Sequence, residues 1–463
     1  MFLALSAGAI QAAEPAKISA DIQVQLDPGT VLAAIPDDFI GFGYETSAVA
    51  REGFFSEKNA RMVQLYRALS PGGLVRIGGI IGDHTRFEPT GKPEPHDMKD
   101  TTVINQAVIT DLGTFLRATG WKAMWTLNLG LGSKEAAAQE ALAIQKALGD
   151  RLQSFEIGNE VNALKRFNKD YPAYHAAFLD YKAAIRAALP NSIFSGPDST
   201  SAGLDWVEKF AADEAQDTQL LITHYYRGAA NSPKATIELL LTPDSNLDSK
   251  LAKLQEICRS KSLAYRINEV NSLVGGGKKD VSDTFASALW CLDFMFRAAS
   301  HGSAGVNLET DVNQHGFISH YSPIFREEDG SLTARPEYYG MLAFATAGKG
   351  KVVKTTVGNT SVNLSAYATK APDGSLWVTL LNRDMAQAGN IKIGLPPGYT
   401  KAEAYRLAAP SAQSKTDVTL ADAQVASDGT WSPKTTEEFS VAGKAVSITV
   451  PATSAALVRL SSK

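Results

Sequence analysis

The sequence predicts an α/β fold, a (β/α)8 TIM barrel with a C-terminal antiparallel β-sandwich domain. Two observations carry that expectation. Strand-like and helical runs alternate eight times between residues 38 and 310, and after Lys351 the pattern changes to period-2 runs broken by turn signals such as Pro372-Asp373-Gly374.

Residues 1–13, MFLALSAGAIQAA, carry no charged side chain, and Glu14 is the first. They read as the hydrophobic region and small-residue cleavage site of a secretory signal cut near Ala12 or Ala13, which implies a secreted or periplasmic protein. The segment is too short to cross a bilayer, which takes roughly 20 apolar residues. The stretch KISADIQVQLD (17–27) alternates with period 2, so residues 14–30 are expected to add a strand to the sandwich. The barrel is assigned to 31–348 and the sandwich to 349–463.

The eight strand candidates are 38–45, 73–79, 122–130, 152–160, 192–199, 219–226, 263–271 and 303–310. Between them lie helical spacings such as Met62, Leu65, Tyr66 and Leu69, or Tyr174, Phe178, Tyr181, Ile185 and Leu189. A helical stretch after residue 335 closes the series. Such alternation calls for parallel strands with crossover helices, and a count of eight fits a closed barrel better than an open sheet. In the last region, 361–368, 375–382, 401–407 and 445–451 read as sandwich strands, packing against the barrel rather than serving as a separate binding module.

The bulk numbers narrow the function. The chain has 463 residues, 44% hydrophobic and 20% charged, with a formal net charge of -4. No basic stripe suits nucleic acid and no polybasic patch suits a membrane; Lys278-Lys279 and Lys349/Lys351 read as solvated loop. Cys258 and Cys291 are too few for a disulfide framework or a zinc site. One bridge between them is conceivable, and two buried thiols are the expectation. The seven histidines show no metal-ligand spacing, so neither a metal nor another cofactor is expected.

Barrels of this kind build their sites at the C-terminal strand ends. There the tetrapeptide Asn-Glu-Val-Asn occurs twice, as Asn159–Asn162 after strand four and Asn268–Asn271 after strand seven. A lone strand-end Glu commonly caps a helix or pairs with an Arg. Two of them on opposite sides of one mouth suit glycoside hydrolysis, which needs one carboxyl to protonate the leaving oxygen and another to attack or activate water. Glu160 is the expected acid/base and Glu269 the expected nucleophile. Glu156, lower in its strand, is the weaker candidate.

At these residues the chain resembles the clan A retaining glycosidases, and within them glycoside hydrolase family 79, the family of heparanase and of microbial β-glucuronidases. Arg76-Ile77-Gly78-Gly79, His224-Tyr225-Tyr226, the Gly275-Gly276-Gly277 loop and His320-Tyr321 carry the likeness. The resemblance implies a retaining exo-β-glucuronidase acting on a carbohydrate bearing glucuronic acid. It implies that Asn159 bonds the sugar 2-hydroxyl and Tyr225 holds Glu269. The Gly275 and Gly276 N–H groups with Tyr321 would bind the C6 carboxylate, an anion that consecutive glycine amides can approach closely. Glu45 and Asp83 would contact sugar hydroxyls. Blander readings stand beside these: flexibility for the glycines, packing for a strand-end Tyr, and a supporting or core role for His224. Ile80, Glu45 and His320 depart from the heparanase pattern, and the lack of basic clusters for a sulfated polymer favours exo action. The competing functions are another clan A glycosidase, such as an endo-β-glucuronidase or β-xylosidase, and a non-catalytic carbohydrate-binding protein.

Overall fold

The computed structural model describes residues 21–96, 100–310 and 319–462. The segment read as a secretory signal, residues 1–13, lies outside them. Eight parallel strands make the barrel: Ile40–Glu45, Leu74–Gly78, Lys122–Leu127, Leu152–Ile157, Gly196–Ser199, Leu221–Ala229, Tyr265–Val274 and Val306–Glu309. They neighbour one another in chain order, and the first also pairs with the eighth, Glu309 lying opposite Gly43. The ring closes between the fourth and fifth strands, where Phe155 N–H donates to the Ile193 carbonyl at 2.8 Å and Ser195 N–H to the Phe155 carbonyl at 2.9 Å.

Each strand is followed by a longer helix on the outside, from Ala60–Leu69 to Pro336–Ala347. Their ends follow from local chemistry. Asn59, Asn105, Ser133 and Asp244 each accept a backbone N–H of the first turn, satisfying donors that have no partner within the helix. Gly120 ends Gln106–Thr119 at φ 84°, a conformation cheap only for glycine. No helix among the described residues is long and apolar enough to cross a membrane.

The first barrel strand shows how the interior is made. Phe42 and Tyr44 point outward; Phe42 stacks on Trp121 at 5.7 Å. The alternate positions, Gly41 and Gly43, face inward and leave space for large polar groups. A Cβ on Gly41 would lie 2.7 Å from the Arg266 guanidinium, and one on Gly43 would lie 2.3 Å from a Glu309 oxygen. Arg266 plugs the bottom of the barrel without a carboxylate. It donates to the side chain of Asn307 at 2.6 Å and to the carbonyls of Asp38, Phe39, Ala304 and Val306. The interior above it is polar too: Arg76, Glu156, Asp198 and Asn268 all lie within it. Most apolar packing of the barrel lies between strands and helices, with a small cluster of Leu74, Met124, Leu220 and Ile222 apart from it.

The second unit is a ten-stranded, mostly antiparallel sheet built from residues after Gly350 together with Ile22–Ile35. That N-terminal strand runs antiparallel to Gly350–Val357 and parallel to Gly389–Gly394, so the two ends of the chain share one sheet. Ile22, Val24, Val378, Leu380, Ile391, Ile393, Ile448 and Val458 form its separate core. Tyr367 and Arg383 from this sheet hydrogen-bond the buried Asp293 on a barrel helix, fixing one unit on the other. Cys258 and Cys291 are both buried and free.

Replacing Arg266 with Met should strand several buried carbonyls and the Asn307 side chain at once. The expected cost is about 3 kcal/mol or more, read as a lowered denaturant midpoint with unchanged slope.

Candidate active site

Two backbone irregularities bring the reactive side chains together. On the seventh strand the pairing with the sixth skips Asn268, and pairing with the eighth skips two residues where the partner skips one. This is a β-bulge, and it turns two successive side chains inward. Asn268 donates to Asp198 at 2.6 Å and to Glu156 at 3.2 Å, while Glu269 stands one layer higher, at the mouth. After the fourth strand, Gly158 at φ 85° and Glu160 at φ 47° swing the chain over the rim. A left-handed conformation at a glutamate costs energy, and it is found here at a residue aimed into the site.

Arg76 holds the constellation. Its guanidinium, fully buried, donates to Glu156 at 3.1 Å, Glu269 at 2.8 Å, Asn159 at 2.7 Å and Asp198 at 2.7 Å. His224 lies on the other side. Its Nε2 meets Asp198 at 2.8 Å, and its Nδ1 meets Glu160 at 3.1 Å and Glu269 at 3.5 Å. Burial alone would lower the His224 pKa, but the charges of Glu269 and Asp198 hold it well above the ordinary value. Asp198 would be pushed up by burial, yet Arg76 and His224 bring it down to about 2.

One oxygen each of Glu160 and Glu269 and a nitrogen of His224 lie within 4.8 Å of one another, a spacing that three metal ligands could also have. A protonated imidazole offers two N–H donors and no lone pair. His224 in that form donates from Nδ1 toward an oxygen of each glutamate.

Most of the expected site residues lie around the mouth of the barrel. Glu160, Glu269 and Asn159 converge through Arg76 and His224. Gly275, Gly276 and Gly277 all have positive φ, and His320 N–H donates to the Gly276 carbonyl at 2.6 Å. This fixes the glycine loop beside Tyr321, whose ring stacks on Tyr226 at 6.2 Å. Glu45 accepts Ile81 N–H at 2.7 Å and is raised to about 8 by burial, with Glu269 adding to the effect. Glu156 is wholly buried beneath the mouth, bonded to Arg76, Thr126 and Asn268.

Two expectations are corrected. Tyr226, not Tyr225, holds Glu269, donating its hydroxyl at 2.9 Å. Strand alternation explains it: His224 and Tyr226 share the inner face, while Tyr225 points outward, stacks on Phe294 and donates to Asp244. Asp83 does not present a free carboxylate to a sugar. Its two oxygens accept the N–H groups of Leu129, Gly130 and Asn159 at 2.9, 2.7 and 3.0 Å, so it braces the loop that carries Glu160. Sequence reasoning missed Asp198, Asn268 and Glu309. Inward spacing from Asn307 could have flagged Glu309; nothing local marks Asp198, whose side-chain partners come from the second, sixth and seventh strands.

Residues 343–457 match the glycosyl hydrolase family 79 C-terminal beta domain. A hyaluronoglucuronidase of Hirudo nipponia is 21% identical over 75% of this chain and 78% of its own. A beta-glucuronidase of Aspergillus niger is 23% identical over 67% of this chain and 66% of its own. Among solved structures, a 4-O-alpha-L-rhamnosyl-beta-D-glucuronidase from Fusarium oxysporum superposes with a TM-score of 0.78 over 94% of this chain and 99% of that one, at 18% identity, a likeness of fold. Fold, paired glutamates and relatives together define a glycoside hydrolase. Its C-terminal domain and its glucuronidase relatives make it similar to glycoside hydrolase family 79.

Tyr226→Phe should lower kcat by about 10- to 100-fold through loss of one bond to a charged acceptor. Tyr225→Phe should act on thermal stability and leave kcat nearly unchanged. Steady-state kinetics and thermal melts on both variants separate the two roles.

Proposed function

We propose that the chain is a retaining exo-β-glucuronidase, releasing terminal β-linked glucuronic acid from glycans or glycosides through a glycosyl-enzyme intermediate. The observation that supports it most is the approach of Glu160 and Glu269 to within 4.8 Å between carboxylate oxygens. Retaining enzymes keep their carboxyls about 5–5.5 Å apart, whereas inverting ones hold them roughly 6.5–9.5 Å apart to admit a water.

The environments of the two carboxyls suit different roles. Glu269 accepts from Arg76 and from the Tyr226 hydroxyl, two donors that orient it as an acceptor-only carboxylate for attack on the anomeric carbon. Glu160 is more open, with a side chain 32% exposed and the His224 Nδ1 as its hydrogen-bond partner. It can give its proton to the leaving oxygen as the glycosidic bond breaks. It then takes a proton from the water that attacks the intermediate and frees Glu269. The Asn159 side-chain oxygen is bonded to Arg76, which turns the amide N–H2 toward the cleft as a donor for the 2-hydroxyl.

The glucuronate preference rests on the glycine loop and Tyr321 at the rim beside Glu269, together with relatives that are glucuronidases. Exo action rests on basic groups beside the loop that are engaged within the protein: Lys278 donates its ammonium to the Ala235 carbonyl, and Arg227 pairs with Asp244. Export belongs to the same proposal and rests on the uncharged segment 1–13.

On an aryl β-glucuronide, Glu269→Gln should lose roughly 10^4-fold or more in kcat. Proton NMR of early wild-type turnover should show β-configured product. An α product, or equal rates for wild type and variant, would defeat the assignment.

A further inference from the structure

Glu309 ends the eighth barrel strand, two residues beyond Asn307, whose side chain points into the barrel to the Phe42 and Leu74 carbonyls. Strand alternation therefore directs Glu309 inward as well, one layer higher and at the mouth. The absent side chain of Gly43 provides the room, since a Cβ there would lie 2.3 Å from the Glu309 Oε2. The residue is only 2% exposed. Both of its carboxyl oxygens are buried without a hydrogen-bond partner, a condition no other carboxyl shares among the described residues.

That isolation is unusual, because the surrounding carboxyls are well supplied. Glu156 has Arg76, Thr126 and Asn268; Asp198 has Arg76, His224 and Asn268; Asp83 has three backbone amides. A buried polar group left unsatisfied costs about 1–3 kcal/mol, so such a group in a site calls for a reason. The groups that face it are those of the active site: Glu45 from strand one, Arg76 from strand two, His224 and Tyr226 from strand six, Glu269 from strand seven, and Tyr321.

We propose that Glu309 is a specificity-determining residue of the glycone pocket, its carboxyl hydrogen-bonding oxygens of the sugar ring seated between Glu160 and Glu269. The inference rests on the glycosidase reading of that pair. Burial first, then the negative charges of Glu269 and Glu45, hold the Glu309 carboxyl protonated far above the usual carboxylate range. Arg76 and His224 pull the other way, but they are already engaged by Glu156, Asp198, Glu269 and Glu160. A neutral carboxyl offers one O–H donor and acceptor capacity besides, which matches a sugar hydroxyl or the oxygen of an anionic substituent. If it ionised, Glu309 would lose the donor and confront an anionic sugar with no counter-ion. Affinity for a glucuronide should therefore weaken as pH rises through its transition, whereas a neutral glycoside should be less affected.

The test compares wild type, Glu309→Gln and Glu309→Leu on an aryl β-glucuronide and the matching glucoside, from acid to slightly alkaline pH. Leu should raise KM about tenfold or more, the worth of one lost hydrogen bond to a buried partner. Gln, which keeps a donor and an acceptor, should recover part of that loss and should flatten the rise of KM with pH. Wild-type KM and an unchanged pH profile in Glu309→Gln would overturn the inference, whether or not Glu309→Leu folds. If the wild type cleaves the glucoside and not the glucuronide, the glucuronate assignment fails instead, and the same variants on the glucoside still decide the role of Glu309.

Discussion

The guanidinium of Arg76 is the interaction on which the rest of the site depends. From the second strand it reaches Glu156 and Asn159 from the fourth strand and its exit, Asp198 from the fifth and Glu269 from the seventh. Taking such an ion out of water costs several kcal/mol, and the cost is offset only when every donor finds an acceptor. Here the acceptors are the groups that must be held for chemistry. The barrel thus uses a desolvated cation to hold several strand ends at fixed distances around one point.

Charge balance in this interior follows from the same constraint. Six carboxyls, Glu45, Glu156, Glu160, Asp198, Glu269 and Glu309, surround two cations, Arg76 and His224. The surplus is settled by protonation: burial raises Glu156 to about 7 and Glu45 to about 8 and pushes Glu309 well above the usual carboxylate range, while Asp198 stays ionised between the two cations. The polar interior also explains the glycines of the first strand. Gly41 is required by the Leu74 carbonyl, Asn307 and Arg266, and Gly43 by Glu309, not by backbone conformation.

The parts of the structure that depend on periodicity were legible in the amino-acid order. Eight alternations give eight strands, and the N-terminal period-2 run is a strand of the C-terminal sheet. The two Asn-Glu pairs were legible because barrel topology alone places them at one mouth. What escaped was decided by non-local contacts. A single-residue bulge at Asn268 cannot be seen in a run of strand formers, yet it is what lets Asn268 and Glu269 both face inward. Asp83 looks like a ligand-binding carboxylate until the amides of Leu129, Gly130 and Asn159 are found on it. The exchange of Tyr225 for Tyr226 is different: the parity of the strand, counted from His224, would have given the right residue.

The central claim is that Glu269 forms the covalent bond to the sugar. Incubation with a 2-fluoro glucuronyl fluoride, which slows breakdown of such an intermediate, followed by proteolysis and mass spectrometry, tests it directly. The label is expected on the peptide containing Glu269, at that residue. A label on Glu160, or inactivation with no covalent adduct, would contradict the account.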